Sequence, residues 1–152
     1  MSTVPDTPGS RDPLMTPIMN RLAGATHSLL RIVAGVLFIC PGGMILLGWF
    51  GGMPAQPGGG GVPPLIVAAG WIELVGGVAI LLGLFTRPVA FITSGEMAVA
   101  YFMAHFPNGF WPIQNHGEPA VLFCFIFLFL SASGAGPFSL DQVIRRRRAA
   151  AR

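Results

Sequence analysis

The chain has no lysine, a single tyrosine and two cysteines, and charged residues make up only 10% of its 152 positions. Each shortage excludes something. Soluble domains carry about 25% charged residues, so this chain lacks the material for a water-facing surface. Between Ile32 and Ile144 its only Asp, Glu or Arg side chains are Glu73, Arg87, Glu96, Glu118 and Asp141. Cys40 and Cys124 form no Cys-x-x-Cys, which excludes a zinc ribbon or a secreted disulfide framework; inside apolar runs they read as small packing residues. No haem, iron–sulfur or nucleotide motif is present. The pI near 9.7 points toward nucleic acid only until the arginines are placed. Arg11, Arg21, Arg31, Arg87, Arg152 and the run 145–148 flank hydrophobic stretches, as orientation signals do.

What the chain does have is apolar length: 53% hydrophobic residues and a mean hydropathy of +0.67. Four runs predict an all-α membrane protein, a four-transmembrane-helix bundle with spans at 29–50, 64–85, 88–105 and 119–136. At 1.5 Å per residue the first two reach roughly 33 Å and cross a bilayer, while the others sit near the lower limit. Pro64, Pro88 and Pro119 suit first helical turns, where a missing N–H costs nothing. Placing both termini in the cytoplasm puts every arginine on one side, whereas three spans would send the terminal cluster across the membrane.

Residues 1–28 read as a cytoplasmic tail without the apolar core of a signal peptide. Its first 14 residues are expected to be disordered. Thr16 and Pro17 then open a short interfacial helix with Met15, Ile18, Met19 and Leu22 on one face. Residues 51–63, with six Gly and three Pro, predict an irregular loop, and 137–152 a basic cytoplasmic tail.

Glu73 falls near mid-membrane, where an unpaired carboxylate is costly, so it must face protein and be protonated or partnered. A structural hydrogen bond and a proton-handling or ligand role both remain open. Ala69, Glu73 and Gly77, with Gly76 and Gly83, predict a small-residue face. Glu96 is a second buried carboxylate, on the opposite side of its helix from Ser94, Met97, Tyr101 and His105, with Arg31 as the expected partner. Tyr101 also suits an interfacial aromatic belt. Loop 105–118 gathers His105, Asn108, Gln114, Asn115, His116 and Glu118 beside Trp111; its spacing matches no metal site and suits hydrogen bonding to a headgroup. Glu118, before Pro119, also fits a helix-capping role. Cys40-Pro41-Gly42-Gly43 predicts a break or kink in span one.

Several segments together resemble the DoxX family of small four-helix bacterial membrane proteins. They are Arg31 with Gly35, Gly48-Trp49-Phe50-Gly51-Gly52, Ile72-Glu73-Leu74-Val75-Gly76-Gly77, Gly83-Leu84-Phe85-Thr86-Arg87-Pro88, Met97-Ala98-Val99-Ala100-Tyr101-Phe102 with His105, Asn115-His116-Gly117-Glu118, and Gly136-Pro137-Phe138-Ser139-Leu140-Asp141. The resemblance implies a multi-pass protein of the bacterial inner membrane, in contact with lipid and protein partners rather than nucleic acid. It also implies association with a quinone-linked oxidoreductase system, sulfur-compound oxidation such as that of thiosulfate included. The family usually carries a His and a Lys where this chain has Pro41 and Ile45, which implies loss of part of its polar chemistry and favours an accessory subunit over an autonomous enzyme. On this reading Glu73, Tyr101, His105, Asn115 and Glu118 line one polar pocket under Trp49 and Trp111, able to receive a quinone headgroup or a small sulfur oxyanion. A structural assembly subunit and a small-solute carrier are the competing functions.

Overall fold

A computed structural model describes residues 15–53 and 60–152, with side chains from residue 17 onward. The predicted disorder of the first 14 residues, and the middle of the glycine-rich loop, lie outside the described residues. The elements are α1 (Met15–Leu47), α2 (Pro64–Leu82), α3 (Thr86–Ala100), the single turn α4 (Pro112–Asn115), α5 (Glu118–Ser133) and α6 (Leu140–Ala150). No strand occurs among the described residues. Three helical stretches are long and apolar enough to cross a membrane: Pro17–Leu47, Pro64–Leu82 and Thr86–Asn108. The 16-residue α5 is equally apolar but shorter, reaching about 24 Å against a hydrocarbon core of about 30 Å.

The exterior identifies the solvent. Trp71, Val75, Phe91, Leu122 and Phe125, drawn from three helices, are each more than half exposed. So broad an apolar surface is incompatible with water and matches lipid tails. The chain is a membrane protein whose helices contact lipid.

Inside, α1 lies against α2 and α3 against α5, and the α2–α3 contact joins the two pairs. Glycines set the first spacing. A Cβ at Gly42 would fall 2.6 Å from the Leu74 backbone nitrogen, and one at Gly77 3.0 Å from that of Ile39, so only hydrogen fits at these crossings. Without a hydrophobic driving force between helices in lipid, such backbone proximity is what holds a pair together. Of the small-residue face anticipated at Ala69, Glu73 and Gly77 with Gly76 and Gly83, Gly77 meets α1, joined there by Gly70, while Gly76 meets Thr93 of α3. The core between the pairs closes around Phe38 of α1, Ile80 of α2, and Phe127 and Leu130 of α5, with the Phe38 and Phe127 rings edge to face at 4.7 Å.

Two expectations for α1 are corrected. The expected break is absent: the helix runs on through Pro41, Gly42 and Gly43 to Leu47. Gly42 there serves close approach to α2, and Gly43 is covered by the Trp49 indole. A transmembrane helix tolerates an internal proline when its neighbours support the freed backbone. Nor is there a separate interfacial helix, because α1 is continuous from Met15, with Thr16 and Pro17 inside its first turn. The predicted spans 64–85 and 119–136 end earlier, at Leu82 and Ser133, where Gly83 (φ 67) and Gly134 (φ 85) turn the chain. Span 88–105 instead starts at Thr86, and α3 itself ends at Ala100.

Candidate functional site

The bundle has a basic end, formed by the α2–α3 turn, residues 134–139 and α6, and an aromatic end, formed by the segment between α3 and α5. At the basic end Arg31 is 1% exposed. It forms no bond to Glu96. Its guanidinium donates to four backbone carbonyls: Ile80 and Leu81 at the end of α2, and Ala135 and Phe138 beyond α5. The last carbonyls of a helix have no intrahelical donor, so Arg31 caps α2 while tying α1 to the α5–α6 connection. Beside it Asp141 accepts from the Phe85 and Thr86 N–H groups, both at 2.9 Å, and donates its own N–H to the Gly83 carbonyl. Gly83 is fixed twice over: its φ is +67 and a Cβ would sit 2.5 Å from that of Ser139.

Higher in the bundle, Glu73 of α2 is buried and Glu96 of α3 half-buried. One oxygen of each, Oε2, is buried with no hydrogen-bond partner among the described residues. Two carboxyl groups inside an apolar bundle, with no cation bonded to either among the described residues, cannot both stay ionised. The partner expected for Glu96, Arg31, is engaged instead by backbone carbonyls at the basic end. The other side of α3 turns to α5, where the Ser94 hydroxyl donates to the Cys124 carbonyl at 2.8 Å. Cys40 and Cys124 are both free thiols.

At the aromatic end α3 widens into a π turn, Tyr101–His105. Such turns accompany functional positions often, and this one brings three of the five anticipated pocket residues together. The Tyr101 hydroxyl donates to the Phe110 carbonyl at 2.7 Å. The buried Asn115 amide donates to the Gly109 carbonyl at 2.7 Å and to the Tyr101 hydroxyl, while its Oδ1 receives the Gly117 N–H at 2.8 Å. His105 Nδ1 lies 3.1 Å from the Asn115 carbonyl. These groups fold the loop upon itself, as Asx turns do. Glu118 stands apart, exposed at the first turn of α5, at the head of an apolar groove of about 480 Å³ between α1 and α5. Neither cavity described, this groove or a basic cleft at the other end, is lined by Glu73, Tyr101, His105 or Asn115. Trp49 lies over Gly43 and Trp111 is 61% exposed against Phe110, so the two do not form a common roof.

The DoxX family model matches residues 26–106, just over half of the chain. The chain belongs to the DoxX family. Among relatives of this DoxX protein, one from Haemophilus influenzae, named only as an uncharacterized protein, is 46% identical over 118 residues, covering 76% of this chain and 87% of its own. The inner membrane protein YqjF of Escherichia coli is 28% identical over 140 residues, 85% of this chain and 99% of its own. No solved structure matches. The matched region includes Arg31, Glu73, Gly83, Glu96, Tyr101 and His105, and stops short of Asn115, Glu118 and Asp141.

Sequence reasoning missed the Arg31 clasp. The signal was nevertheless present: Arg31, the Gly83–Pro88 segment and the Gly136–Asp141 segment are three separated pieces of the DoxX resemblance, and they are the pieces that meet at the basic end.

Proposed function

We propose that this DoxX protein is a four-span accessory subunit of a quinone-linked oxidoreductase system in the bacterial inner membrane, with both termini cytoplasmic and its carboxyl pair serving proton transfer. The fourth span is α5, whose short length is accommodated by local bilayer thinning. The orientation follows from the arginines, since Arg87 and the α6 cluster share the basic end. The E. coli relative's name supports the compartment.

The observation that carries the reading is that Glu73 and Glu96 each keep one buried oxygen without a hydrogen-bond partner among the described residues. A purely structural glutamate would have found a hydrogen-bond donor. A pair that holds protons and lacks a partner is suited to accept and release them as a neighbouring redox centre changes charge. Electron transfer is assigned to a partner subunit. The α1–α5 groove has apolar walls fit for an isoprenoid tail, from Leu30, Val33, Leu37, Leu122, Phe123 and Ile126, but its side chains offer no donor for a quinone carbonyl. The headgroup does not fit there, and the quinone belongs to the partner. Sulfur-compound oxidation is the branch of such chemistry that the family resemblance favours.

Each competing reading loses one supporting feature. Gly35, Gly42, Gly70 and Gly77 meet one another's helices within the chain and so are not free for a partner, and the continuous α1 removes the broken helix that favoured a carrier. Gentle purification followed by mass spectrometry of co-purified proteins and quinone is expected to recover an oxidoreductase. Glu73→Gln keeps the shape and removes a titratable proton, and is expected to lower that enzyme's quinone-linked activity while leaving assembly intact. Recovery of no redox partner, or wild-type activity in the Gln variant, overturns the proposal.

A further inference from the structure

The basic end contains a cleft of about 660 Å³ that the carboxyl pair does not touch. Its floor is the α2–α3 turn and its sides are residues 133–137 and α6. Arg87, Arg145 and Arg148 all line it, and one carboxylate, Asp141, lies among them. Asp141 is already engaged by the Phe85 and Thr86 N–H groups and pairs with none of the three arginines among the described residues. Arg87 is exposed but lies along the chain at Gly134, where a Cβ would come within 3.3 Å of its Nε. A second feature is independent of the arginines. Thr86 lines the same cleft, is 0% exposed, and its Oγ1 has no hydrogen-bond partner among the described residues. Three cations around one concavity, with an idle hydroxyl buried in its wall, call for an anion with several acceptor oxygens.

The position selects the source of that anion. Phe85, 67% exposed, and Ile144 border the cleft, and the turn that forms its floor joins two spanning helices, so apolar and cationic surfaces meet at the membrane face. We propose that this cleft binds the phosphate of an anionic phospholipid headgroup, held by Arg87, Arg145, Arg148 and the Thr86 hydroxyl, with the acyl chains leaving along Phe85. Basic pockets at the cytoplasmic face of helical bundles take such headgroups, and guanidinium forks match phosphate oxygens. Binding there bridges the α2–α3 turn to α6 and so fixes the terminal helix against the bundle. The inference rests on membrane embedding and is independent of the redox reading.

The test is native mass spectrometry of the purified full chain in mild detergent, titrated separately with phosphatidylglycerol, phosphatidylcholine and inorganic phosphate. Phosphatidylglycerol adducts are expected to persist, and to weaken about fivefold per arginine in Arg87→Gln and in the Arg145→Gln/Arg148→Gln double variant. The same-charge double variant Arg146→Gln/Arg147→Gln, whose residues do not line the cleft, is expected to bind as wild type. The double variants lie on exposed positions of α6, so they remain informative even if Arg87→Gln fails to fold. The proposal is overturned if phosphatidylcholine or inorganic phosphate is retained as tightly as phosphatidylglycerol, or if the Arg146/Arg147 variant loses as much as the Arg145/Arg148 one.

Discussion

Replacing Arg31 tests whether the basic end is held by one side chain. Arg31→Met keeps the apolar stem and removes the donors to Ile80, Leu81, Ala135 and Phe138. A hydrogen bond to a charged group contributes about 1.5–3 kcal/mol, so four such bonds set an upper limit of roughly 6–12 kcal/mol. The released carbonyls lie at the membrane face, where water re-solvates some of them. The expected loss is therefore about 3–5 kcal/mol, within the range for breaking a buried network. At about 2–4 °C per kcal/mol for a chain of this size, Tm falls by roughly 6–20 °C. Arg31→Lys keeps the charge but presents a compact ammonium in place of a planar fork, and recovers about half of the loss. The assay is thermal unfolding in mild detergent, followed through the fluorescence of Trp49, Trp71 and Trp111. A Met variant melting within about 2 °C of wild type, or no earlier than the Lys variant, would refute the clasp.

Two glycines should respond in opposite directions. Gly42→Ala forces a methyl against the Leu74 backbone and is expected to cost about 1–3 kcal/mol in the same melt, whereas helical Gly95, with nothing within 4 Å of its absent Cβ, should gain up to about 1 kcal/mol on conversion to Ala. Asp141→Ala frees the Phe85 and Thr86 N–H groups and the left-handed Phe85 (φ 48) that they hold, lowering stability by about 1–2 kcal/mol; a Tm equal to wild type would show that the cap is idle. Cysteine introduced at Asn108 in a chain without its native thiols should react with a membrane-impermeant reagent from outside intact cells, and one at Ala151 only after permeabilisation; the reverse pattern would invert the proposed topology.

The membrane class and the approximate helices were legible in the sequence because both depend on composition along a run. With 10% charge and long apolar stretches, only helices that satisfy their own backbone can exist in lipid. The burial of Glu73 against protein was legible for the same reason, since a lone carboxylate in an apolar run must avoid lipid. What lies across from a residue is a property of two helices at once. Pro41-Gly42-Gly43 locally spells a break, yet the approach of α2 at Gly42 and the Trp49 indole at Gly43 supply another use for the small residues, and the helix continues. Tyr101, His105 and Asn115 were correctly sensed as neighbours, but whether their polar atoms open toward a ligand or close upon backbone carbonyls is decided by the fold of loop 106–117. Arg31 looked like a partner for Glu96 because opposite charges are the simplest pairing a sequence offers. The turn at Gly83 and the connection at 134–139 instead surround it with carbonyls, leaving one oxygen of Glu96 unpartnered among the described residues. Sequence alone determined which residues must avoid lipid; the tertiary structure decided what each meets there, because a buried polar group takes whichever partner the crossing of helices brings within hydrogen-bond reach.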